Sequence, residues 1–96
     1  MYNEAVKKGN ILYMEKVDIM LKVPALGESY EMQIPSYIQI GGLLPMLVDA
    51  VASMSGGIYQ PSGQEFLCSP VYNCILADDK TLEIYKIQNG DCLVLI

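Results

Sequence analysis

The chain has 96 residues, 52% of them apolar, which is enough for one domain with one core and too short for two. Six lysines, no arginine and eleven acidic residues give a net charge of −5, so phosphate backbones are repelled and the guanidinium contacts that read guanine are missing. Nucleic acid is therefore excluded as a partner, and no apolar run approaches the ~18 residues that cross a bilayer. With no basic-then-apolar leader at the start, the expectation is a soluble, cytoplasmic protein without direct membrane insertion.

Lys7-Lys8 is the one basic cluster, and it reads as a solvated end. The first periodic element is Val17 to Val23, where Val17, Ile19, Leu21 and Val23 point one way and Asp18, Met20 and Lys22 the other: a strand with one wet face. Pro24 to Ser29 supplies a turn, and Tyr30 to Ile34 alternates again with Tyr30, Met32 and Ile34 facing inward. Two alternating runs across a short turn predict an antiparallel hairpin.

Pro35 ends the second strand because it cannot donate to a ladder. The period then changes: Ile40, Leu43, Leu44, Leu47, Val48 and Val51 form one stripe of a helix. Each such side chain, fully buried, stabilises by roughly 1.5 to 3 kcal/mol before entropy costs. Pro45 is tolerated if it falls in the first turn, which predicts regular helix from Gly41 or Gly42. The Ser53-Met54-Ser55-Gly56-Gly57 run predicts its stop.

Gly56 to Gln64 reads as a surface loop with Ile58 and Tyr59 tucked beneath it. Glu65 to Ser69 reads as a third strand, closed by Pro70, and Tyr72 to Leu76 as a short fourth. A turn of helix is expected near Thr81 to Tyr85, and Cys92 to Ile96 is the last strand. If that strand enters the middle of the sheet beside the first, the result is an α+β β-grasp fold: a mixed sheet of four to five strands with one main helix on one face.

Chemistry is sparse. Cys68, Cys74 and Cys92 are odd in number, which favours reduced thiols, and without His or Cys-x-x-Cys neither zinc nor a four-thiolate cluster is supported. They read as small apolar fillers. The Asp78-Asp79 pair has no third polar partner and reads as a solvated turn. No catalytic, metal or cofactor residue is therefore expected. Tyr85 reads as a packed ring whose hydroxyl bonds nearby backbone, and Gly90 as the residue that turns the chain between Asn89 and Asp91.

The hairpin, the Ile40 to Val51 helix and the Leu82-x-x-Tyr85-x-Ile87-x-x-Gly90-Asp91-x-Leu93-x-Leu95 ending resemble the ubiquitin pattern over residues 16 to 96. A narrower set, Ile34-Pro35-Ser36-Tyr37-Ile38-Gln39-Ile40 before the helix, then Asp79-Lys80-Thr81-Leu82 and the Asn89-Gly90-Asp91 corner, is similar to the YukD/EsaB family. These are ubiquitin-like proteins associated with bacterial type VII (WXG100) secretion systems. The resemblance implies a non-enzymatic, cytoplasmic accessory or regulatory component, peripheral to a membrane secretion complex and contacting parts of its membrane-anchored ATPase. The alternative is a generic β-grasp adaptor unrelated to secretion. Residues 1–15 depart from the family pattern as an extension expected to be poorly ordered or to add an edge through Ile11, Leu12 and Tyr13. Pro45 departs too.

Conjugating β-grasp proteins work through a flexible Gly-Gly tail, whereas here the strand itself runs to Leu95-Ile96, so conjugation is not expected. Surface must then carry function. With Leu93 and Leu95 facing the helix, Cys92, Val94 and Ile96 face outward, and Leu67 is expected to join them from the third strand. The candidate protein-contact face is thus Leu67, Val94 and Ile96. Exposed contiguous apolar area marks a partner site or is covered in a homodimer. The other reading is that Asn10 to Met14 folds over it.

Overall fold

The computed structural model describes residues 15–96. The readings of residues 1–14, both as an added edge and as a cover for the sheet, lie outside the described residues. Strand β1 (Lys16–Val23) pairs antiparallel with β2 (Glu28–Pro35) through a turn at residues 24–27, and the register is continuous from Lys16↔Pro35 to Val23↔Glu28. Helix α1 (Ile40–Met54) follows, then β3 (Leu67–Ser69), β4 (Cys74–Ile75) and β5 (Asp91–Leu95).

The sheet order is β2-β1-β5-β3-β4. The last strand lies in the centre, parallel to β1 and antiparallel to β3, so the sheet is mixed. The alternation in β1 carries through: Val17, Ile19, Leu21 and Val23 are buried and Lys16, Asp18 and Lys22 exposed. In β2 Ile34 is buried, while Tyr30 and Met32 are half-buried against the core, as suits an edge strand. Helix α1 buries Ile40, Leu43, Leu47, Val48 and Val51, with Leu44 half-buried at the margin. These side chains share one core with Leu93 and Leu95. The arrangement is a ubiquitin-like β-grasp.

The helix begins one or two residues earlier than its proline suggests. Its first free N–H groups are satisfied from outside: Ile40 donates to the Lys80 carbonyl (2.8 Å) and Gly41 to the Asp78 carbonyl (3.0 Å). This main-chain cap replaces a side-chain one, and Gln39 at the N-cap makes none. Pro45 consequently sits in the second turn, where its missing N–H leaves the Gly41 carbonyl without its i+4 donor. At the other end Gly56 adopts φ +67°, and its N–H donates to Ser53.

Other expectations are corrected in the loops. Tyr59 is buried but Ile58 is 75% exposed. Thr81 makes an isolated bridge with Gln39 and residues 82–86 are turns, so the expected helical turn is limited to one bond: Tyr85 N–H reaches the Thr81 carbonyl at 3.3 Å, and Lys86 at φ +58° breaks the path. Leu76, Leu82 and Ile87, from these irregular segments, complete the core. Among the described residues no helix is long and apolar enough to cross a membrane.

Candidate functional site: the outer face of the sheet

The helix covers one face of the sheet, and residues of alternate parity occupy the other. From β5 these are Cys92 and Val94, both half-buried. The parallel register sets Met20 beside Cys92 and Lys22 beside Val94, while the antiparallel register sets Cys68 beside Val94 and Ile75 beside Cys68. Ile96 continues the alternation: its main chain exchanges hydrogen bonds in both directions with Phe66, extending the β3–β5 ladder by one pair. Ile96 and Ile75 are 55% and 54% exposed. Together Cys68, Cys74, Ile75, Val94 and Ile96, with Ser69, Pro70 and Asn73, line a shallow depression.

Leu67 does not belong to this face. It is 1% exposed and lies in the core, in register with the buried Leu95. The reason is parity. Residues opposite one another in a ladder point to the same side, so pairing Leu67 with inward Leu95 turns Leu67 inward and sends Cys68 out. Ser69 is then buried too, and its hydroxyl oxygen accepts the Tyr72 N–H at 3.2 Å. Cys68 and Ile75 are the members that sequence reasoning missed. The run Phe66-Leu67-Cys68 has no polar residue to mark its parity, but the isolated large aliphatic in a three-residue strand was the available signal.

The depression offers little chemistry. Burial, and then the neighbouring Cys74, push the Cys68 thiol upward, which is opposite to what a thiolate nucleophile requires. Among the described residues no group of three His, Cys, Asp or Glu is placed to hold a metal ion. Asp78 and Asp79 sit on the surface, where Asp79 meets Lys80 at 3.9 Å between two exposed side chains. What the depression presents is mainly aliphatic and sulfur-bearing surface on a hydrogen-bonded sheet.

Side-chain contacts tie down the surrounding loops. Tyr72 and Tyr85 rings lie 6.3 Å apart beside β4, and the Tyr85 hydroxyl oxygen accepts the Ala77 N–H at 2.9 Å. Tyr59 donates its hydroxyl to Glu65, whose carboxylate also accepts the N–H groups of Ser62 (2.7 Å) and Gly63 (3.1 Å). This clamp fixes the loop that delivers the chain into β3. Burial, the Glu65 hydrogen bond and its charge hold the Tyr59 hydroxyl up at about 12.

No known protein-family profile matches the sequence, and no curated protein matches it either. Solved structures do. The ubiquitin-like domain of the Mycobacterium tuberculosis type VII secretion system protein EccD1 superposes with a TM-score of 0.71 at 12% identity, over 86% of this chain and 99% of that domain. The EccD5 ubiquitin-like domain from Mycobacterium xenopi gives 0.71 at 15% identity, over 85% and 93%. A component of the MycP5-free ESX-5 inner membrane complex gives 0.70 at 15% identity, over 84% of this chain and 20% of that one. At these identities the likeness establishes the ubiquitin-like fold.

Proposed function

We propose that this chain is a non-enzymatic interaction module of a type VII secretion apparatus, working on the cytoplasmic side by binding protein components of the machine. The observation that carries the reading is the match in shape to EccD ubiquitin-like domains from two mycobacterial species, one of them over 99% of its length. The match to part of an inner membrane complex supports a role beside membrane-anchored partners, and the YukD/EsaB resemblance makes cytoplasmic regions of the secretion ATPase the first candidates. The YukD/EsaB resemblance of the 34–40 and 79–91 segments points the same way.

The contact surface in this reading is the outer face around Val94 and Ile96. Ile96 and Ile75 expose more than half their surface, and the surrounding thiols and aliphatics leave an apolar area that water solvates poorly. Its main chain is already paired in the centre of the sheet, so docking orders little backbone. The test is site-specific photo-crosslinking from position 96 in the native host, with products identified by mass. Crosslinks to secretion components support the reading; crosslinks confined to unrelated proteins favour the generic adaptor.

A further inference from the structure

Among the described residues the edge strand β2 has no partner on its outer side, and its hydrogen-bonding phase can be fixed. Ser36 N–H donates to the Glu15 carbonyl, so Glu15 and Ser36 form a hydrogen-bonded pair just beyond the strand ends. Bonded and non-bonded pairs alternate in an antiparallel ladder, which makes Lys16–Pro35, Asp18–Gln33, Met20–Glu31 and Lys22–Ser29 the non-bonded pairs. An independent contact agrees. Asp18 spends its N–H on the Asn89 side chain and its carbonyl on the Gly90 N–H, both on the side away from β2. Ser29, Glu31 and Gln33 therefore direct their N–H and C=O groups outward from the sheet.

Among the described residues no strand pairs with this edge. It is eight residues long, in continuous register without a bulge, and its single proline, Pro35, stands at the end. The opposite edge, β4, is two residues long. Edges as long as β2 are ordinarily blunted by lysine, proline or a bulge. Its flanks differ in character. On the core side Tyr30 and Met32 are half-exposed apolar side chains, and on the outer side a broad depression is lined by Asp18, Met20, Glu31 and Gln33, with no basic residue among its lining.

We infer that the β2 edge is a strand-addition site for an extended segment of a partner protein in which apolar residues alternate with lysine or arginine. Main-chain bonds to Ser29, Glu31 and Gln33 hold the segment. Its apolar side chains lie beside Tyr30 and Met32, and its basic ones beside Glu31 and Asp18. A second copy of this chain is disfavoured as occupant, because β2 carries Glu28 and Glu31 and no basic residue, so self-pairing would juxtapose carboxylates. This inference stands independently of the secretion reading and of the Val94 face.

The test uses the full chain, isotopically labelled, and three synthetic eight-residue peptides. One alternates valine with lysine, one alternates valine with glutamate, and one is the lysine peptide N-methylated at alternate amides. The expected result is binding of the lysine peptide at least tenfold tighter than the glutamate peptide, with amide shifts centred on Ser29, Glu31 and Gln33, and loss of binding on N-methylation. Glu31→Lys should weaken the lysine peptide about tenfold, and Glu31→Pro should abolish it while sparing the internal ladder. The Glu31→Lys result stands even if the proline variant does not fold. The inference is overturned if no peptide binds, if both charges bind alike, or if shifts centre on Val94 to Ile96. It is equally overturned if these three amides are already protected from exchange in the free protein, or if the protein dimerises through β2.

Discussion

Asn89 stands in for a strand partner of Asp18. Its side-chain oxygen accepts the Asp18 N–H at 2.9 Å across 71 residues of sequence, and the next residue, Gly90, donates to the Asp18 carbonyl at 2.8 Å. Asp91 Oδ2 accepts the Gln88 N–H at 2.9 Å and closes the corner. The Asn89-Gly90-Asp91 segment thus sets the point at which the last strand enters beside the first, and with it the parity that faces Val94 outward.

Asn89→Ala should cost about 0.5 to 1.5 kcal/mol, since the Asp18 N–H loses its acceptor but is solvent-accessible. Asn89→Asp keeps an acceptor and should cost less. Urea denaturation of the two variants side by side checks the order.

Gly90→Ala tests the corner's backbone. Gly90 has φ +93° and open space where a Cβ would stand, so the penalty is conformational and should be about 1 to 2 kcal/mol without loss of fold. Thermal unfolding gives the number.

The hairpin and the helix stripe were legible because each buries one face of a long element, and the period states which face. The inward parity of Val17 to Val23 and the helical spacing from Ile40 to Val51 both survive in the structure. Leu67 was not legible, because a three-residue strand carries no period and its parity is set by pairing with Leu95 from across the chain. The helix start failed for a related reason: carbonyls of Asp78 and Lys80, distant in sequence, cap it and push Pro45 into the second turn. The β2 edge depends on strand order, which no local pattern states.

Leu67→Ala follows from that correction. Removing a fully buried leucine should cost about 2 to 5 kcal/mol, whereas Ile96→Ala, on the surface, should stay within about 0.5 kcal/mol. Equal effects of the two substitutions would contradict the assigned parity.

Pro45→Ala should stabilise the protein by about 1 to 3 kcal/mol, by restoring a donor to the Gly41 carbonyl and removing a helix-breaking ring. A lower melting temperature than wild type would show that the ring is needed in place.

The Tyr59–Glu65 clamp predicts a response to alkali. The folded-state value of Tyr59, about 12, lies above its ordinary 10.0, so the folded state binds the proton more tightly. Its stabilisation is present below pH 10 and is lost as pH rises toward 12. For Glu65 burial raises the carboxyl, but hydrogen bonds from Ser62 and Tyr59 outweigh it and the net shift is downward, so its contribution is lost as pH falls below the ordinary carboxylate range. Ultraviolet titration should show one late tyrosine that disappears in Tyr59→Phe.

The claim that the outer face around Val94 binds a secretion component is tested most directly by Ile96→Asp in the native host, with secretion of the type VII substrates as the readout. The expected result is a protein that melts within about 3 °C of wild type, loses its crosslinks to secretion components and fails to support secretion. Wild-type secretion by a folded Ile96→Asp protein, with crosslinks unchanged, would contradict it.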